Sequence, residues 1–317
     1  MGNRSHTPTP KQKSRRFNLR KELVMTNRID LIIIDPQNDF CYPGAEVAYP
    51  GLDLTGEAKD ILDKVGLLNP GSLFVPGANE DMDKVANMID EIGHKFFNIH
   101  VTMDCHHYID IAHPVTWVNS KGEHPAPFTI ITTDDVDNEV WFCAFPQERS
   151  YCKWYVHQLA DNNRYPLCIW PPHCLIGTIG NAVYKPLADA LATWEKKNIG
   201  NVEFLTKGSN WKTEHYSAVQ ADVPDDEDPT TEMNYEFIKP LKLADDLVLV
   251  GEARSHCLAN TGRDIVAGFG DDTLANKLTL LEGATSDVPG FEFMGEEFVK
   301  DLTALGMKTG HVDTYLR

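Results

Sequence analysis

The segment LVLVGEARSHC, 247–257, ends on a cysteine that follows a run of four apolar residues. LVLV reads as a buried parallel strand, and LANTGRDIVAGF after the cysteine continues at helical spacing. Cys257 is thereby predicted at a helix N-terminus, where unpaired backbone N–H groups and the positive end of the helix dipole favour thiolate over thiol. The bland alternative is a buried, inert cysteine. A thiol nucleophile needs a base to take its proton. Asp35, directly after the apolar run LIII, can serve if burial beside that strand perturbs its pKa. Lys207, after FLT, would hold Asp35 ionised and stabilise charge that develops during attack. An Asp and a Lys at strand ends also make ordinary structural ion pairs.

A second set of residues suits a metal ion. Asp104 and His106 fall in DCHH, His113 seven residues later, and His173 in WPPHC. One carboxylate and two imidazoles, with positions left to water or ligand, fit Zn2+ or a similar divalent cation. His113 precedes Pro114, which biases it to an extended conformation. His100 and His107 read as hydrogen-bonded or solvated histidines.

Positioning these groups requires strands that end just before them. Apolar runs at 31–34, 96–102, 167–169, 202–205, 247–250 and 278–281 read as strands. Helical periodicity covers 80–92, about 182–197, the segment after Cys257 and the region near Glu296. The alternation predicts a three-layer α/β/α sandwich around a mainly parallel, doubly wound sheet. In such sheets sites form at the carboxyl ends of the strands, where Asp35, Asp104, His173, Lys207 and Cys257 would all lie. The reading is of one domain, 29–317, carrying loop-rich insertions near 114–165 and 210–245. The acidic run DVPDDEDPTTE at 222–232 lies within the second insertion and reads as a solvated face.

Composition narrows the function further. A formal charge of −18 argues against nucleic acid as a partner. No apolar run reaches the length of a membrane span. Residues 1–28 carry eight Lys or Arg against one acid, Glu22. They read as a basic, disordered arm, with an organelle-targeting role as the alternative. Seven cysteines without CxxC pairs suggest no disulfide framework, and a reducing cytoplasm fits them.

Five motifs together resemble a known family. IIIDPQNDF, DCHH followed by a later histidine, WPPHC, FLTKG and GEARSHC resemble, in order, the signatures of the isochorismatase-like cysteine hydrolases, and within them the nicotinamidases. The resemblance spans about 29–312. It implies a catalytic triad of Asp35, Lys207 and Cys257. It also implies a cis peptide between Glu252 and Ala253, with an oxyanion hole built from the Ala253 and Cys257 N–H groups; such donors are typically worth roughly 3 kcal/mol each. The implied metal ligands are Asp104, His106 and His173, with His113 as an alternative or additional one. Phe40 and Trp170 resemble residues whose rings flank the substrate, although core packing would also account for them. The implied reaction is hydrolysis of a small amide, nicotinamide to nicotinate and ammonia, through a thioester, in a homo-oligomer. A metal-independent carbamoyl or ureido amidase, and a non-catalytic binding protein that kept the fold, are the competing readings. The chain departs from the family pattern in the spacing of His113, in Cys105 and in its length.

Overall fold

The computed structural model describes residues 27–317. Of the arm predicted over 1–28, all but Asn27 and Arg28 lie outside the described residues.

Six strands form one sheet: β1 Ile29–Ile34, β2 Phe96–Asp104, β3 Glu203–Lys207, β4 Asp246–Gly251, β5 Leu278–Glu282 and β6 Lys308–His311. Their spatial order is β6-β5-β4-β1-β2-β3, and every neighbouring pair is parallel. IDLIII is buried at all six positions, as a central strand covered on both faces must be. The outermost strands instead carry exposed polar residues, Glu203 and Thr206 on β3 and Lys308 and Thr309 on β6, which suits edges.

Two helix pairs cover the sheet. Ala78–Ile92 (α1) buries Met82, Val85, Ile89 and Ile92 along one stripe and packs against Lys185–Asn198 (α3). Ala259–Phe269 (α4) packs against Glu292–Ala304 (α5). Between α1 and α3 in sequence lies Arg149–Asp161 (α2). Chain order runs outward from β1 to β3, then returns to β4 on the other side of β1. The reversal makes the carboxyl ends of β1 and β4 the crevice of the fold. Gly251 closes that crevice tightly. At φ 109° it brings β4 against β1, where a Cβ would run into the Ile34 backbone.

The structure departs from the sequence reading in particular places. The run at 167–169 is not a strand of the main sheet: Leu167–Cys168 pairs antiparallel with Ile130–Ile131 in a separate ribbon. Its apolar side chains are buried all the same, so pattern alone could not tell the two apart. KTGH, which forms β6, has no apolar run to mark it. The stretch after His113, read as loop, holds the short helix Thr133–Asp137 closed by a capping box from Thr132 and Asp135.

Candidate active site

β1 stops at Ile34, and Asp35 follows in the left-handed region at φ 43°, its side chain fully buried. Thr102 on β2 fixes it from both sides. The Thr102 hydroxyl accepts the Asp35 N–H at 2.9 Å and donates to Asp35 Oδ1 at 2.5 Å. Lys207, the last residue of β3, lies opposite Asp104 in the β2–β3 register. Its ammonium reaches Asp35 Oδ2 at 3.0 Å, Asp104 Oδ1 at 3.1 Å and Cys257 Sγ at 3.6 Å. Cys257 comes from a π-helical turn, Arg254–Leu258, that leads into α4. Three strand ends therefore bring Asp35, Lys207 and Cys257 into direct contact.

The predicted preference for thiolate does not hold. Burial pushes the Cys257 thiol well above its usual range; Lys207 pulls it down, while Asp35 and Asp104 push it up. Two carboxylates and a dry pocket outweigh one ammonium and a helix end. The thiol rests protonated, and Asp35, within hydrogen-bond reach, is the group that could accept the proton. Burial also raises the Asp35 carboxyl, with Lys207 opposing, which makes it a stronger base than an exposed carboxylate.

The DPQNDF motif works as scaffolding. Gln37 Nε2 donates to the Asp104 carbonyl at 2.7 Å, and the Asp104 N–H donates to Gln37 Oε1 at 2.6 Å, so one amide locks the end of β2. Asp39 accepts the Cys174 N–H at 2.6 Å, and Ile176 N–H donates to the His106 carbonyl at 3.1 Å. These bonds lay the segment bearing His173 beside β2, although no strand of the main sheet delivers it.

Ligand atoms of Asp104, His106 and His173 all lie within 4.8 Å of one another. Each imidazole has its Nδ1 beside an oxygen: His106 at 2.9 Å from Asp110 Oδ2, His173 at 2.9 Å from the Pro171 carbonyl, His113 at 3.1 Å from the Tyr108 carbonyl. An oxygen acceptor there requires Nδ1–H, which leaves the Nε2 lone pair for a cation. Nε2 of His106 and His113 is buried without a hydrogen-bond partner. Burial disfavours a charged His106, yet Asp104 and Asp110 hold its imidazolium well above the ordinary value. The field at this point selects positive charge, proton or metal, and the donor set fits a divalent ion. His113 packs near, its ring 5.3 Å from His106, but is not in the 4.8 Å set. His100 lies elsewhere, with Nδ1 2.8 Å from Glu203.

A narrow cavity opens onto Cys257, Ala253, Asp104 and His173, with Phe40 and Trp170 in its wall. Phe40 meets the His173 ring edge-on at 5.4 Å. The Glu252–Ala253 peptide is cis. Two further residues line this cavity that motif reading passes over. Glu214 has Oε1 bonded to the His215 N–H at 2.9 Å and Oε2 buried without a partner; burial raises its carboxyl to about 8. His256 packs edge-on to Trp170 at 5.1 Å. Its Nδ1 lies 2.9 Å from Ser255 Oγ, which accepts the Val288 N–H at 3.1 Å. The buried Ser255 hydroxyl must give its hydrogen to Nδ1, so His256 carries its proton on Nε2. Burial holds the ring neutral, its value lowered to about 3. Glu214 follows no apolar strand run, and His256 stands beside Cys257 without a spacing of its own to mark it.

The sequence matches no family model and no curated protein. Solved structures do resemble it. Yeast nicotinamidase Pnc1p, bound to the inhibitor nicotinaldehyde, superimposes with a TM-score of 0.56 at 19% identity, over 89% of this chain and 99% of that one. An Acinetobacter baumanii nicotinamidase/pyrazinamidase gives 0.54 at 18% identity, over 92% and 99%. PnC1 from L. infantum, in complex with nicotinate, gives 0.51 at 16% identity, over 92% and 96%. At such identity the likeness concerns architecture, and this chain has the α/β fold that these nicotinamidase structures share.

Proposed function

We propose that the protein is a cysteine-dependent amidohydrolase that releases ammonia from a small aromatic amide, nicotinamide being the favoured substrate. The observation that carries this reading is the contact of one ammonium with a carboxylate at 3.0 Å and a thiol at 3.6 Å at the rim of the sheet. Asp35 takes the Cys257 proton, and sulfur attacks the amide carbonyl. N–H groups of Ala253 and Cys257 receive the oxyanion, while Lys207 balances the charge on Asp35. Asp35 returns the proton to departing ammonia. It then activates the water that cleaves the thioester and frees the acid.

Phe40 and Trp170 would hold the aromatic ring by its faces and edges. A divalent ion held by Asp104, His106 and His173, Zn2+ by donor chemistry, would supply a Lewis acid for a ring nitrogen. Glu214 and the His256 Nε2–H offer hydrogen bonds to polar groups on the same substrate. Nothing in this chemistry calls for nucleic acid or membrane, and no helix of the described residues is long and apolar enough to cross one. All seven cysteines are free, as a reducing cytoplasm would keep them.

Ammonia release from nicotinamide, wild type against Cys257→Ala, tests the reading. Turnover by the wild type alone supports it. Equal rates in the two proteins would remove Cys257 as nucleophile, and no turnover by zinc-loaded wild type would remove nicotinamide as substrate.

A further inference from the structure

One buried acid pair takes no part in the chemistry above. Glu252, the residue before Ala253, is fully buried, and Asp81 on α1 nearly so. Glu252 Oε2 accepts the Ser286 N–H at 3.0 Å, and the Ser286 hydroxyl donates to Asp81 Oδ2 at 2.6 Å. Glu252 Oε1 is buried and has no donor in reach, yet the two carboxyls lie within hydrogen-bond distance of each other. Neither has an ion-pair partner among the described residues. Two bare carboxylates so placed would repel in a dry environment, and an acceptor without a donor costs free energy. A single proton between them removes both penalties. Burial raises both carboxyls, Glu252 well above the carboxylate range, which favours keeping that proton.

The same neighbourhood stitches the loop that leads to the nucleophile. Gly251 N–H donates to the Ala284 carbonyl at 2.9 Å, Glu252 N–H to the Ile34 carbonyl at 2.8 Å, and Arg254 N–H to the Ser286 carbonyl at 2.8 Å. Val288 N–H bonds to the Ser255 hydroxyl at 3.1 Å. Residues 251–255 are thus zipped to 284–288, and the Glu252 side chain ties both segments to α1. Flanked by these anchors, Ala253 lines the cavity. Its carbonyl is engaged by the His256 and Leu258 N–H groups at 3.0 and 3.2 Å.

We propose that the chain Glu252–Ser286–Asp81 is a positioning device for the oxyanion hole, holding the Ala253 peptide where its N–H meets the substrate's carbonyl oxygen. The inference rests on the amidase reading. Glu252 touches no reacting atom; it acts through Ala253. Preorganised donors of this kind lose their effect when the supporting contacts let them drift by about 1 Å.

The test compares wild type with Glu252→Leu, Glu252→Gln and Ser286→Ala in the full chain. Three quantities are read: kcat and KM for nicotinamide, inhibition by nicotinaldehyde, and alkylation of Cys257 by iodoacetamide. An aldehyde adduct of the thiol places an oxygen in the same hole, whereas alkylation needs no hole. Glu252→Leu is expected to lower kcat about ten- to a hundredfold with KM within about twofold, to weaken aldehyde inhibition in parallel, and to leave alkylation unaltered. Gln can accept the Ser286 N–H through its carbonyl and donate to Asp81 through its amide, so Glu252→Gln restores most of kcat. Ser286→Ala removes a single hydroxyl, should give an intermediate loss, and carries the test if the leucine variant does not fold. Wild-type kcat in both Glu252→Leu and Ser286→Ala overturns the proposal; so does a parallel fall of kcat and alkylation, which would mean general disorder of the site. A wild type that hydrolyses no amide defeats the amidase reading instead. Aldehyde affinity then decides on the clamp alone, parallel weakening in the variants supporting it and unchanged affinity overturning it.

Discussion

Lys207→Met keeps most of the side-chain volume and deletes the charge on which the site converges. Asp35 Oδ2 and Asp104 Oδ1 lose their partners at 3.0 and 3.1 Å, and neither atom has another hydrogen-bond partner. Removing one member of a buried ion pair typically costs about 3–5 kcal/mol, because the other charge is left without compensation. Here two carboxylates are stranded, and protonation of Asp35, already raised by burial, limits the damage. The pH dependence has a definite sign. In the folded wild type Asp104 is held well below 3.8 by His106 and Lys207 against burial, so it contributes stability above that value, lost as pH falls. Lys207 is held well above 10.5, against burial, by Asp104 and Asp35, so its contribution is complete below 10.5 and lost only above it. Without the ammonium both carboxyls shift toward their protonated forms, Asp104 less than Asp35 because His106 still faces it, and the deficit of the variant must grow from acid toward neutral pH. Urea unfolding in the presence of a chelator, at about pH 5 and pH 8, should show a deficit of about 3–5 kcal/mol at the higher pH and a smaller one at the lower. Equal stability at pH 8, or a larger deficit at pH 5, would refute the account of Lys207 as the shared counter-charge.

Three further outcomes are expected. Because burial raises the Asp35 carboxyl, kcat/KM should decline on its acid side above the ordinary carboxylate range; activity that persists undiminished down to pH 4 would remove Asp35 as the base. Zinc affinity, read by competition with a chromophoric chelator, should fall more in His106→Ala than in His113→Ala, since only the former belongs to the 4.8 Å set; the reverse order would reassign the ligands. Gly208, at φ 81°, allows β3 to leave directly beside Asp104 and His106, and an added Cβ would stand 2.7 Å from Asp104 Oδ1. Gly208→Ala should therefore destabilise by about 1–3 kcal/mol and reduce zinc binding, and wild-type values for both would contradict the close approach.

Asp35, Asp104, Lys207 and Cys257 were legible because each comes after an apolar strand run, and a parallel sheet gathers the residues just past its strands at one rim. The strand that would place His173 at the rim is not where the apolar run suggests. The run before His173 is a buried ribbon strand outside the main sheet, and Asp39 and the His106 backbone bring that residue home. Glu214 and His256 escaped notice because their significance lies in burial and in unspent hydrogen-bonding capacity, which no spacing encodes. The resting state of Cys257 departs from the sequence expectation for a similar reason. A helix end is visible in sequence, whereas the two carboxylates around the sulfur come from β1 and β2, far away in the chain.

One lysine nitrogen answers to both halves of this pocket. Asp104 faces it with one oxygen and the imidazoles with the other, at 3.1 Å to Lys207 and 3.0 Å to His106. A cation that drew electron density from Asp104 would weaken its hold on that nitrogen and leave more of the ammonium's charge to Asp35 and sulfur. Thermodynamic reciprocity applies: whatever such a cation does to the acidity of the thiol, deprotonating the thiol does to the affinity for the cation, by the same factor.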